Sequence, residues 1–237
     1  MKRHLTLITA LAIVIAACGG DEGGDTTTTT TAPPSIEPDQ RILEVRYEGG
    51  FAPVEFLFSQ PPAFTLYGDG RLVFQGPQPA IFPGPLMPSL QVVDIGVDGL
   101  SQVLAAVEAA GLPAITEVIN NDANQFVADA SNTVITYTDE AGDHVYNVYA
   151  LGLTDQDAQL NSLQDIITVL DNVAFSSPDA GEYPVEQLQV IVSEAFADGG
   201  DIQPTIEPWP LAAAVDELPD FIMDLKCVVV DGDEAQN

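Results

Sequence analysis

Few residues of this 237-residue chain have the chemistry of a catalytic or metal site. It contains two histidines, His4 and His144, and two cysteines, Cys18 and Cys227. Nucleophilic catalysis usually needs a base beside a serine or cysteine, but His144 follows Asp143 at a predicted turn, which is typical of a surface residue. The chain has no Gly-x-Ser-x-Gly elbow, phosphate-binding glycine loop or His-Glu-x-x-His pair. The sequence therefore predicts no catalytic residues.

Carboxylates are the abundant chemical group, with 36 Asp and Glu residues. Two clusters of oxygen ligands, at residues 120–124 and 231–234, could attract calcium, but neither has the spacing of a calcium-binding loop. One histidine and one free cysteine do not suffice for a zinc site. A carboxylate pair could hydrolyse glycosides, although so many acids make a pair uninformative without geometry. We expect no metal and no cofactor.

Trp209 and Cys227 are the other residues with distinctive chemistry. Trp209, the single tryptophan, stands between two prolines and is a candidate ligand contact through stacking. Tryptophans in such loops more often pack the loop against the core. Cys227 alternates with Lys226 and Val228 in an apolar segment, so it is predicted to be buried beside Leu225.

The N-terminus is predicted to be a secretory signal at residues 1–17. Lys2 and Arg3 precede a run of 13 apolar or small residues broken only by two threonines. As a helix this run would reach about 20 Å. A bilayer core is about 30 Å thick, so the run is too short to span it.

The end of this segment carries the most specific motif of the chain. Ile15, Ala16, Ala17 and Cys18 resemble the lipobox of bacterial lipoproteins. The resemblance implies cleavage before Cys18 and a diacylglycerol on its thiol, so that membrane lipid is a partner. Two acyl chains hold a protein stably at a membrane. The expected location is therefore the extracytoplasmic face of the cell membrane; whether this is an inner or an outer membrane stays open.

Loss of the signal would leave a strongly acidic chain. Only Arg41, Arg46, Arg71 and Lys226 would remain against 36 acids, giving a formal charge of −32. Nucleic-acid binding depends on cations at phosphates, so nucleic acid is excluded as a partner. The same charge opposes flat contact with an anionic membrane.

The residues after the lipobox divide into a tether and a folded part. Residues 18–40 are rich in Gly, Asp, Thr and Pro and lack a hydrophobic period, which indicates a flexible lipid-anchored tether. Residues 41–232 are expected to form one α+β domain, with candidate subunits at 41–112 and 113–232. Residues 233–237 should fray.

The first half of this domain shows strand and helix patterns. Leu43, Val45 and Tyr47 alternate with charged residues, which predicts a half-buried strand. A hairpin is predicted around Gly68-Asp69-Gly70, followed by a proline-rich loop at 75–88 and a short strand at 91–95. Helical spacing then predicts a helix that Asp98 caps and Gly111 ends.

The second half repeats the hairpin-then-helix order. Strands are predicted at 133–138 and 144–150, and a helix starts at a capping box formed by Thr154 and Asp157. Further strands are predicted where Leu188, Val190 and Val192 alternate and at 225–229. These patterns indicate antiparallel sheets in two similar α+β units, as a duplication would produce.

Four short motifs, at residues 67–71, 149–152, 209–211 and 227–232, resemble a group of uncharacterised actinobacterial-type lipoproteins. No known activity accompanies that resemblance. The expected function is a non-catalytic binding or envelope-associated module whose partner is an unknown protein or envelope polymer. Two alternatives remain open: a carboxylate-dependent hydrolase of cell-wall polymers and a calcium-dependent structural or adhesion protein.

Overall fold

The computed structural model describes residues 36–52, 54–81, 85, 87–115, 127–153, 157–193 and 208–231. They belong to one compact unit that begins at Ile36, and the predicted α+β class is confirmed. The elements are β1 (Arg41–Gly49), α1 (Val54–Ser59), β2 (Phe64–Tyr67), β3 (Arg71–Gln75), β4 (Leu90–Asp94), α2 (Gly96–Ala109), β5 (Ser131–Asp139), β6 (Gly142–Tyr149), α3 (Ala158–Ser176), β7 (Gly181–Glu182), β8 (Gln187–Val192) and β9 (Lys226–Asp231).

Seven strands form one antiparallel sheet in the order β6-β5-β1-β2-β3-β4-β7, and β8 pairs with β9 in a second sheet. The predicted hairpin at Gly68-Asp69-Gly70 joins β2 to β3. Gly70 has a φ of +89° and donates its N–H to the carbonyl oxygen of Tyr67 at 3.0 Å. A positive φ carries no Cβ penalty for glycine, which accounts for its place in this turn.

Helices α2 and α3 begin differently from the sequence prediction. Ile95 rather than Asp98 is the N-cap of α2, and Asp98 lies in the first turn, where a negative charge suits the helix N-terminus. Gly111 follows the helix at a φ of +79°, as a C-terminal glycine should. Asp157 caps α3 by accepting the N–H of Leu160 at 2.9 Å, whereas Thr154 lies outside the described residues.

The hydrophobic core lies between the large sheet and helices α2 and α3. One row of register partners crosses five strands on this side, and all of its members are buried. The row consists of Tyr146, Ile135, Val45, Phe64 and Phe74. The ring of Phe74 meets Phe175 of α3 edge to face, with 5.1 Å between ring centres. We call this side of the sheet the helix face.

The two predicted repeat units are not confirmed. Both hairpins belong to the same sheet, and β1 lies between them as the partner of both β2 and β5. The first hairpin is followed by β4 and then α2, while α3 follows β6 without an intervening strand. The unequal order of elements shows why a similar hydrophobic pattern in the two halves does not make two equivalent units.

The exposure of side chains in β1 and β9 differs from the predictions. Tyr47 at the end of β1 is 45% exposed, because the strand extends past the part of the core that covers Val45. In β9, Val230 is buried and Val229 is 59% exposed, so the buried side is not the one predicted. Three consecutive valines at 228–230 make this alternation ambiguous in the sequence. No helix among the described segments is long and apolar enough to cross a bilayer.

Candidate functional site

The face of the large sheet opposite α2 and α3 carries the candidate site, and we call it the groove face. Successive strand residues point to opposite faces, so the neighbours of the apolar row form a second row here. Val145, Thr136, Glu44, Thr65 and Val73 are consecutive register partners across five strands. Thr136, Glu44 and Thr65 at its centre are each 8% exposed. A buried polar row therefore lies in the middle of the sheet.

Glu44 is held by a ladder of charged side chains. Its carboxylate accepts a bond from Arg41 Nη1 at 3.1 Å and lies 4.0 Å from Arg46 Nη1. Arg41 also donates from Nη2 to Asp143 Oδ2 of β6 at 3.3 Å. A buried carboxylate needs such partners, since an unpaired one loses its hydration without replacement.

The ladder extends one residue further at each end. The Thr138 hydroxyl donates to Asp143 at 2.6 Å, and Arg46 pairs with Glu48 at 3.4 Å. The charge ladder thus comprises six residues of β1, β5 and β6: Thr138, Asp143, Arg41, Glu44, Arg46 and Glu48. Each arginine in it contacts two carboxylates, and with three carboxylates against two arginines the ladder keeps a formal charge of −1.

Two prolines form a wall beside this ladder. The Gln75 amide donates to the carbonyl oxygens of Pro61 and Pro62 at 2.9 and 3.4 Å. Ala63, which follows Pro62, donates its N–H to the carbonyl oxygen of Val45 at 2.8 Å. These bonds fix the proline segment between α1 and β2 against the sheet.

Two tyrosines complete the site. The guanidinium of Arg71 lies 4.8 Å from the ring centre of Tyr67, and Arg71 is itself paired with Asp69 and Asp39. Burial raises the pKa of Tyr67, and the nearby Tyr183 raises it further. Tyr183 is placed by its N–H bond to the carbonyl oxygen of Leu90 at 3.0 Å. Both phenols therefore line one space.

The site is a groove rather than a closed cavity. Its polar part has a volume of about 490 Å³. Four members of the charge ladder line it, together with Thr65, Tyr67 and the prolines; the four are Arg41, Glu44, Thr138 and Asp143. Two further hollows of about 330 and 470 Å³ lead away from it past Met87 and Pro88. Leu90 and Tyr183 line all three, so the hollows adjoin one another, and we refer to them together as the groove. Small-ligand sites have volumes of this order.

His144 lies on the opposite face of the β5–β6 hairpin from this groove. Its Nε2 is 3.0 Å from Asp139 Oδ1, and its ring stacks on Tyr137. The bond with His144, followed by backbone N–H bonds from Ala141 and Gly142, lowers the pKa of Asp139. These contacts fix the ends of the β5–β6 hairpin, as expected of a structural histidine.

Trp209 and Cys227 do not line the groove described above. The indole N–H of Trp209 donates to the carbonyl oxygen of Ala213 at 2.7 Å, which closes its own loop. Cys227 is half-buried, and the amide of Gln189 lies 3.0 Å from its Sγ. The prediction that Cys227 is buried is wrong, because its side chain is half-buried and faces the amide of Gln189 in β8.

Several predicted features lie outside the described residues. They are the signal and lipobox with Ile15, Ala16, Ala17 and Cys18, residues 18–35 of the tether, the cluster at 120–124, most of the cluster at 231–234 and the C-terminal residues 233–237. The segment 36–40, which precedes β1, is described. Gly68 and Asp69 donate their N–H groups to the carbonyl oxygens of Gln40 and Pro38 there.

The arrangement is suited to binding through hydrogen bonds and ring contacts. Among the described residues no group of three or more Asp, Glu, His or Cys side chains could hold a metal ion. The groove residues were missed in the sequence because they come from distant segments; Arg41 and Asp143 are 102 positions apart. The one available signal was the pair of prolines before β2.

Comparisons of the chain with protein-family models, with curated proteins and with solved structures found no match.

Proposed function

We propose that this protein is a non-catalytic binding module, anchored by lipid on Cys18 to the extracytoplasmic face of the cell membrane, that holds a component of the cell envelope in its groove. The observation that carries the proposal is the buried polar row at the centre of the groove face. Glu44, Thr65 and Thr136 are each 8% exposed, although buried positions are usually apolar. A sheet that keeps paired charges and hydroxyl groups beneath a groove favours recognition of a ligand.

The anchor fits this function. Lipid on Cys18 would keep the protein at the membrane, so that a ligand in the adjoining envelope is present at a high effective concentration.

Binding to isolated envelopes tests the proposal. The processed chain with Cys18→Ser would be incubated with envelope particles from the producing cell and sedimented with them. We expect Tyr183→Ala, which removes the ring shared by all parts of the groove, to weaken binding by about tenfold or more. Val97→Ser is the matched control, because Val97 is an exposed apolar residue of α2. Equal sedimentation of the two variants would refute the groove as the binding site.

The anchor has its own test. Cys18→Ser should abolish palmitate labelling in cells and release the protein from the membrane fraction or leave it unprocessed. Continued labelling of this variant would show that the lipidated residue is another one.

A second candidate function is hydrolysis of an envelope polysaccharide. It is favoured by the presence of two carboxylates, Glu44 and Asp143, in one cleft. Both bind the same guanidinium, so each would have to leave Arg41 to act on a substrate. Release of new reducing ends from envelope polymers, lost in Glu44→Gln, would establish this activity in place of simple binding.

A further inference from the structure

The groove itself is net acidic, because Arg41 is the one cation among its described lining residues and lies between the carboxylates of Glu44 and Asp143, while Glu182 and Glu186 line the further hollows. Each of the four cations that follow Cys18 forms an ion pair: Arg41 and Arg46 in the charge ladder, Arg71 with Asp69 and Asp39, and Lys226 with Asp220. An anionic ligand would have to displace a carboxylate from Arg41 and approach a chain of formal charge near −32. The groove is therefore a poor site for phosphate, sulfate or carboxylate groups.

A cationic ligand is also disfavoured beside Arg41, in the polar part of the groove. The carboxylates of Glu44 and Asp143 already face the guanidinium of Arg41, and Arg46 approaches Glu44 from the other side. A ligand ammonium placed on either carboxylate would stand within a few ångströms of a fixed positive charge. Like charges at that separation repel strongly when they are partly removed from water.

The polar groups of the groove suit hydroxyl groups instead. A guanidinium has five N–H donors, and the ladder contacts of Arg41 use two of its terminal nitrogens. The carboxylates accept, while Thr65, Tyr67 and Tyr183 can both donate and accept. A phenol is protonated at neutral pH, so Tyr67 and Tyr183 can each donate a hydrogen bond. Donors and acceptors thus alternate within one small space.

The shape and the rings point to an extended ligand with apolar faces. The three hollows adjoin at Leu90 and Tyr183, so that an extended molecule could contact more than one of them. Tyr67 is braced by Arg71 and lies near Tyr183, which gives the groove aromatic surface that is fixed before binding. Aromatic rings offer contact area to C–H faces while their hydroxyl groups remain available for hydrogen bonds.

We infer that the groove binds an uncharged polyhydroxylated polymer, a neutral glycan strand, with the Arg41–Glu44–Asp143 ladder and Thr65 bonding its hydroxyl groups and Tyr67 and Tyr183 contacting its rings. This inference rests on the proposed binding function of the same groove. It names the class of ligand that the function leaves open.

The test uses soluble polymers released from the envelope and separated by anion exchange into neutral and anionic fractions. Each fraction would compete with envelope particles for the processed Cys18→Ser chain. We expect competition from the neutral fraction, its loss after periodate cleaves vicinal diols, and less than about twofold change between about 50 mM and 0.5 M NaCl. Tyr183→Ala should lose binding to the particles, whereas Val97→Ser should bind them and be competed by the neutral fraction like the parent.

The outcomes distinguish the glycan assignment from the proposed binding function. Three results would overturn the glycan assignment: competition by the anionic fraction alone, competition that survives periodate, or binding that salt strongly weakens. If Tyr183→Ala still lost binding in such a case, the groove would remain the binding site. Binding that is identical in Tyr183→Ala and Val97→Ser would overturn the proposed function itself.

Discussion

Two rows of side chains cross the same five strands, one residue apart, and have opposite physical character. On the helix face the row is Tyr146, Ile135, Val45, Phe64 and Phe74, whose members are buried and belong to the hydrophobic core. On the groove face the row is Val145, Thr136, Glu44, Thr65 and Val73, with a carboxylate at its centre. Burial of apolar area stabilises the fold on one side, while the other side keeps polar groups that contribute far less.

The difference teaches that stability and recognition are separable within single strands of this protein. A change at a residue of the helix face should affect the free energy of unfolding, and a change at its neighbour on the groove face should affect ligand binding.

Phe74 and Val73 give the strongest contrast. Phe74→Ala should reduce the free energy of unfolding by about 3–5 kcal/mol, because it opens a cavity beneath Phe175. Val73→Ala, a change to a half-buried residue that lines the groove, should cost about 1 kcal/mol. Urea denaturation of both variants measures the difference. Equal losses would mean that the two faces contribute alike to stability.

The charge ladder should show a graded dependence on burial. Glu44→Gln should cost about 1–3 kcal/mol, because Arg41 and Arg46 lose a partner in a site that water reaches poorly. Glu48→Gln changes the exposed end of the same ladder and should cost less than about 0.5 kcal/mol. Denaturant titration measures both losses. A larger loss of stability in Glu48→Gln than in Glu44→Gln would contradict the expected dependence on burial.

The start of α3 tests how the helix face is covered. Asp157→Ala should reduce stability by about 1 kcal/mol, because the N–H of Leu160 loses the side-chain acceptor. Asp98→Ala in the first turn of α2, which has no side-chain cap, should cost only a few tenths of a kcal/mol. Thermal unfolding of the two variants distinguishes a capping residue from a charge near a helix end.

Asp171 gives the smallest effect and a defined pH dependence. Burial raises the pKa of this α3 carboxyl, so the folded chain keeps its proton to a higher pH than the unfolded chain. Stability is therefore lost as pH rises from the unfolded pKa through the raised folded pKa. Asp171→Asn should melt at a higher temperature than the parent at pH 7, and the gain should disappear at about pH 3. A gain that persists unchanged in acid would contradict this explanation.

The sequence predicted the fold class because the decisive patterns are local. Alternation marked β1 and β8, the Gly68-Asp69-Gly70 turn marked a hairpin, and helical spacing marked α2 and α3. The helix starts were less accurate, since Asp98 and Thr154 have the residue types of caps but only Asp157 is seen to act as one. Two halves with similar patterns also looked like repeats, although pairing through β1 joins them into one sheet.

The groove could not be predicted because its parts are remote in the chain. The alternation in β1 placed Glu44 on the solvent side, with nothing to distinguish it from 35 other acids. Its burial depends on Thr65 and Thr136 of neighbouring strands and on a guanidinium that also reaches Asp143. Such a network becomes visible only when tertiary structure joins β1, β2, β5 and β6.

Neighbouring substitutions in β2 test the separation of the two faces most directly. Thr65→Val removes one hydroxyl group from the groove floor with little change in volume, and Phe64→Leu reduces the core on the opposite face. Binding of the processed Cys18→Ser chain to envelope particles would be measured at about 10 °C, where both variants should be folded, together with their free energies of unfolding. We predict that Phe64→Leu loses about 1–2 kcal/mol of stability yet binds like the parent, whereas Thr65→Val stays within about 1 kcal/mol of the parent and binds several-fold more weakly. Unchanged binding by Thr65→Val, or weaker binding by folded Phe64→Leu, would contradict the account.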